Sequence, residues 1–124
     1  MIILLDTSTP VCHLTVVNSD SKVDYSWEAN RELARGLLKF LTEKVGDLHE
    51  ITGIGVMKGP GSFTGLRIGL TVVNTLADDL QIPIVGEMGE NWQKVALDRL
   101  SSGQNEQIVM PEYGSPAHIT KPKK

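Results

Sequence analysis

After about thirty residues the hydrophobic period of this chain changes from two to 3.6, and the change sets what it can fold into. Three short early runs, MIILL, VCHLTVV and KVDYSW, are rich in β-branched or aromatic residues and are separated by the turn-forming DTSTP and NSDS. They predict three strands in an antiparallel meander. In the second run Cys12, Leu14 and Val16 alternate with Val11, His13, Thr15 and Val17, so one face is apolar and His13 lies on the mixed one. From about residue 30 to 45 the period becomes 3.6, with Leu33, Leu37, Phe40 and Leu41 on one face and Gly46 as a stop. A strand at ITGIGVM, a helix from Ser62 or Phe63 to Leu80, a strand at QIPIVG and a helix at NWQKVALDRL follow. Strands alternating with helices must run parallel, joined by crossovers. The expected architecture is a mixed α/β sheet, a meander first and parallel βαβ units after, with no internal repeat.

This lobe is expected over residues 1–100. Residues 101–124 change character: SSGQNEQ reads as a linker, QIVM as a further strand, and PEYGSPAHITKPKK as an extended tail.

Between the strand at ITGIGVM and the next helix stands GPGSFTGLRIG, with four glycines and a proline in eleven residues. Such density marks a backbone that turns sharply or is closely approached. It is not a P-loop, which needs GxxxxGK[ST]; no lysine stands where the terminal phosphates would require it. Nor is it a dinucleotide fingerprint, because Gly59, Gly61 and Gly65 give GxGxxxG and no acidic residue follows at the right strand end. The helix start can still hold an anion through its free amides, and Ser62 can cap it.

A chain of 124 residues with 40% hydrophobic content makes one domain able to bury its own core. The single cysteine, Cys12, excludes an internal disulfide, and its apolar setting reads as a buried small hydrophobe. A net charge of −3 gives no global reason for tight nucleic-acid binding, and the basic Lys121, Lys123 and Lys124 read as a solvated terminus. The absence of a signal-like start or a long apolar run points to a cytoplasmic protein. His13, His49 and His118 are too dispersed to suggest a metal site.

Helical arithmetic supplies the functional hint. In the second helix Leu66, Leu70, Val73, Ala77 and Leu80 form one apolar stripe, and Gly65, Ile68, Gly69, Val72 and Leu76 a second beside it. Together they cover roughly 220°, whereas a helix lying on one sheet needs little more than about 100°. The first helix shows a similar excess, roughly 200°, through Leu33, Ala34, Leu37, Leu38, Phe40, Leu41 and Val45. Helix-to-helix packing takes up part of it, with Gly65 and Gly69 allowing close approach there. The remainder is expected to meet another chain.

DTSTP after the first strand, GPGSFTGLRIGL some fifty residues later and then PIVG together resemble the TsaB (YeaZ) family, over about residues 1–100. The resemblance implies an actin-like ATPase, ribonuclease H-like N-terminal lobe. It also implies a role without chemistry, in which the protein partners the catalytic subunit TsaD in making threonylcarbamoyladenosine on tRNA. A TsaE-like ATPase joins the assembled pair, and tRNA is met indirectly through the complex. Carried over, the helical surface that meets TsaD would use Leu33, Leu37, Leu41, Gly65, Arg67, Gly69, Leu70 and Asn74.

Asp6 matches the aspartate that actin-like ATPases place near phosphate and metal, with Thr7, Ser8 and Thr9 as candidates to line the same turn; no cofactor, metal or catalytic residue is expected. Two departures stand out. Leu33-Ala34 replaces a His-Ser pair usual near the start of the first helix, and the second lobe of the family is expected to be missing. The alternatives are a self-associating homodimeric scaffold, a weak nucleotide-binding protein or ATPase, and a glycoprotease-like enzyme.

Overall fold

Strands β1 (Ile2–Asp6), β2 (Val11–Val17) and β3 (Lys22–Glu28) form the meander, β1 antiparallel to β2 and β2 antiparallel to β3. The computed structural model describes residues 1–113. After β3 the chain makes a 3-10 turn at Asn30–Glu32 and enters α1 (Leu33–Val45). The helix expected from residue 30 therefore starts at Leu33, because Asn30 stands at a left-handed φ of 49°. Gly46 ends α1 at φ 89°, its N–H donating to the Thr42 carbonyl at 2.8 Å.

Strand β4 (Gly53–Met57) runs parallel to β1, helix α2 (Phe63–Leu80) crosses over, and β5 (Ile84–Glu87) runs parallel to β4. Helix α3 (Trp92–Ser101) follows. The five strands lie in the order β3-β2-β1-β4-β5. Ser62 caps α2 as expected, its hydroxyl accepting the Gly65 N–H at 3.2 Å.

Successive side chains on a strand face opposite ways, and this divides the core between two helical layers. Ile3, Leu5, Cys12, Leu14, Ile54, Val56 and Ile84 belong to the cluster shared with α1 and α2. Leu4 and Val85 instead join Trp92 and Ala96 of α3. The central strands β1 and β4 are covered on both faces, so their sequences read as continuous apolar runs rather than alternations. Leu37 and Leu41 of α1 and Val73 of α2 are fully buried; each buried leucine contributes about 1.5–3 kcal/mol to this layer.

The strand expected at QIVM does not form. Residues 105–106 lie along the outer edge of β5 and are held mainly by side chains, as described below, so no ladder propagates into residues 107–110. Of the tail expected over residues 111–124, the part from residue 114 onward, with His118, Lys121, Lys123 and Lys124, lies outside the described residues.

Candidate functional site

The two sequence motifs that stand some fifty residues apart meet face to face. What closely approaches the glycine-rich helix is the turn between β1 and β2. The Thr7 hydroxyl donates to the Gly65 carbonyl at 2.8 Å, and Ser62 N–H donates to the Ser8 carbonyl at 2.8 Å. A Cβ at Gly65 would run into the Thr7 carbonyl oxygen, and one at Gly69 into the Thr7 hydroxyl. The glycines therefore serve the contact between helix and turn. This corrects the expectation that Gly65 and Gly69 provide close approach between helices.

The turn's polar groups are largely engaged locally. Asp6 Oδ1 accepts both the Ser8 N–H at 2.8 Å and the Ser8 hydroxyl at 2.6 Å, an arrangement typical of aspartate turns. Thr9 Oγ1 donates to the Val11 carbonyl at 3.0 Å. Thr7 is 1% exposed, so of the four nucleotide-contact candidates it is the one out of a ligand's reach. Among the described residues no three His, Cys, Asp or Glu side chains gather in a geometry that could hold a metal ion. His13 is exposed on the sheet face opposite α1, in register between Asp6 on β1 and Ser26 on β3.

The expected partner surface divides sharply. Leu33, Leu37, Leu41 and Leu70 are buried within the chain's own core, which corrects their assignment to a surface. The cause is that α1 and α2 lie side by side on one sheet face and point their strongest stripes into it. Asn74 is also engaged internally: its Nδ2 donates to the Val109 carbonyl at 3.0 Å and its Oδ1 accepts the Val109 N–H at 2.9 Å. Arg67 alone of the eight is exposed, its guanidinium 5.3 Å from the Phe63 ring centre.

An apolar seam nevertheless remains outside. Ala34 is exposed and Leu38 is 53% exposed on α1, while Ile68 and Val72 of α2 are half-buried. Ala34, Arg67, Ile68, Thr71 and Val72 line a shallow groove between the two helices. The apolar arcs drawn from the sequence contained Ala34, Leu38, Ile68 and Val72. What was missing was their phase relative to the sheet, which decides which part of each arc is covered.

Burial pushes the Cys12 thiol up to about 12, with the nearby Asp6 charge adding to the effect, so the side chain is the inert hydrophobe its setting suggested. A cluster the sequence did not signal lies on the other side of the sheet. Arg99 Nη1 donates to Glu87 at 2.7 Å and to the Gly86 carbonyl at 3.0 Å, and it forms an ion pair with Glu106 at 2.9 Å. Partial burial pulls the guanidinium's pKa down, but the bonds to both carboxylates outweigh that and raise it. The three residues have no helical or strand periodicity in common, so their meeting is legible only in the fold.

Comparison with known proteins gives this geometry relatives. Residues 28–88 match the family model described as TsaD, tRNA N6-adenosine threonylcarbamoyltransferase. The chain is 33% identical over 90 residues to the tRNA threonylcarbamoyladenosine biosynthesis protein TsaB of Escherichia coli, an alignment covering 68% of this chain and 38% of that protein. It is 27% identical over 88 residues to TsaB of Haemophilus influenzae, covering 68% and 37%. The structure of YeaZ from Pseudomonas aeruginosa superposes with a TM-score of 0.59 at 28% identity, covering 70% of this chain and 44% of that one. The alignments thus span about two fifths of the length of these relatives. No helix among the described residues is long and apolar enough to cross a membrane. The mixed sheet with its helical layers is an actin-like, ribonuclease H-like lobe, and in sequence and fold this chain is similar to the TsaB and YeaZ proteins over that span.

Proposed function

We propose that this chain is a non-catalytic partner subunit in the synthesis of threonylcarbamoyladenosine on tRNA, docking on a TsaD-like transferase through the outer face of α1 and α2. One observation carries the reading: the segment that matches the TsaD family model, residues 28–88, contains both of these helices entire. Two chains carrying related helix pairs can pack those pairs against each other about a pseudo-two-fold axis, as like surfaces do in dimers. The seam of Ala34, Leu38, Ile68 and Val72 offers apolar contact, with Arg67 and Thr71 at its rim. The internal bonding of Asp6 Oδ1 and Thr7 supports a role in which this chain does no chemistry itself. A TsaE-like ATPase and tRNA would then be met by the assembled complex.

The test is co-expression with the TsaD-like subunit of the same source, followed by a pull-down and a tRNA modification assay. Leu38→Asp and Ala34→Asp change exposed side chains and should leave the fold intact by circular dichroism. Each should weaken association at least tenfold and lower modification accordingly, whereas Val95→Asp on the exposed side of α3 should do neither. Unchanged association in both α1 variants would overturn the proposed face. A homodimer that dissociates as TsaD is titrated in, followed by light scattering, would identify the same seam as self-associating when unpartnered.

A further inference from the structure

Strand β5 ends the sheet, and an edge strand leaves alternate N–H and C=O groups unpaired. Here those groups are met by a segment that is not a strand. The Ile84 N–H donates to Asn105 Oδ1 at 3.1 Å, and the Ile84 carbonyl accepts the Glu106 N–H at 2.9 Å. Two residues on, the Gly86 N–H donates to Glu106 Oε2 at 2.8 Å, and the Gly86 carbonyl accepts from Arg99 at 3.0 Å. The edge is thus completed mostly by side chains.

Further along, recognition passes to α2. Asn74 reads both backbone groups of Val109 with the two ends of its carboxamide. The Val109 side chain sits over Gly86, where any Cβ would strike its Cγ1. Beyond it the Glu112 N–H donates to the Lys58 carbonyl at 2.7 Å. The neighbours of Val109 take no part in this burial: Ile108 is 64% exposed and Met110 69%. One apolar anchor, one carboxylate held by Arg99 and a string of backbone bonds are the elements by which grooves beside a sheet edge bind extended peptides.

We infer that the cleft between β5 and α2 is a peptide-binding groove, occupied in cis by residues 105–112, and that this segment is a displaceable latch. The ligand class it fits is an extended segment carrying a side-chain carboxylate and, three positions later, a β-branched residue, as Glu106 and Val109 do. Such a segment from another chain binds only when the latch has left. Hydrogen bonds and a partly exposed ion cluster dominate the latch's hold, so its release leaves the clusters beneath α1, α2 and α3 intact apart from Val109 itself.

The experiment uses the full chain with the latch weakened and the groove untouched, as Asn105→Ala with Glu106→Ala, and separately as Val109→Ser. The probe is a labelled synthetic peptide of residues 104–113, followed by fluorescence anisotropy, alongside amide hydrogen exchange. Both variants should bind the peptide at least tenfold more tightly than the unaltered chain does, and the Ile84 and Gly86 amides should exchange at least tenfold faster while α1 and α2 keep their protection. A peptide with Gln at its Glu106 position and Asp at its Val109 position should not bind. The inference is overturned if neither variant binds the peptide better than the unaltered chain, if Ile84 and Gly86 exchange no faster, or if α1 and α2 lose protection together with β5. That last result would make the segment part of the cooperative core.

Discussion

At Gly69 two effects of opposite sign compete. Alanine is favoured over glycine in a helix interior by about 1 kcal/mol, which by itself would make Gly69→Ala stabilising. Against this, the new methyl group would overlap the Thr7 hydroxyl and press on its Cγ2. Overpacking a fixed site costs about 1–3 kcal/mol, and Thr7 is fixed because its hydroxyl is bonded to Gly65. Gly69→Ala is therefore expected to be net destabilising in urea melts. Thr7→Ala, which removes the clashing atoms, should be less harmful on the Gly69→Ala background than on the unaltered chain, with a coupling of about 0.5–3 kcal/mol in the double-mutant cycle. Additive effects would show that the helix and turn do not meet as described.

At the level of elements, neighbouring leucines on α1 have opposite fates: Leu37 is wholly buried whereas Leu38 is 53% exposed. Leu37→Ala should cost about 2–5 kcal/mol of stability, while Leu38→Ala should stay within about 0.5 kcal/mol; thermal melts of the two purified variants distinguish them. The contrast shows where sequence reading ends. Strand and helix identities were legible because period two and period 3.6 leave different marks, and Gly46 and Ser62 marked the stop of one helix and the start of another. The orientation of each apolar arc was not legible. Leu33, Leu37, Leu41 and Leu70 were expected at a surface because an apolar stripe looks the same whether a sheet or a second protein covers it. Asn74 and Val109 were equally hidden as a pair, since reciprocal side-chain-to-backbone bonds across 35 residues leave no periodic trace. QIVM had strand composition, but its pairing depends on which groups the edge of β5 receives.

For the molecule as a whole, Cys12 reports on cooperativity. It lies on β2 inside the cluster that joins the sheet to α1 and α2, so opening that cluster is what brings it to water. In the folded chain its thiol is raised from the ordinary value of 9.0 to about 12, burial being the main cause. Between those limits the unfolded chain gives up the thiol proton and the folded chain keeps it. The unfolded state then binds fewer protons, so this group's contribution to stability is fully present below about pH 9 and falls as pH rises towards 12. The loss is on the order of 1 kcal/mol per pH unit across that window. Lysines and tyrosines titrate there too, so the measurement is a comparison of urea melts of the unaltered chain and Cys12→Ala at several pH values. The stability advantage of the unaltered chain should be constant up to about pH 9 and then shrink steadily, and a thiol reagent at pH 8 should label Cys12 only at the rate of unfolding. Rapid labelling with α1 and α2 still protected from hydrogen exchange would mean that β2 opens independently of the helices above it.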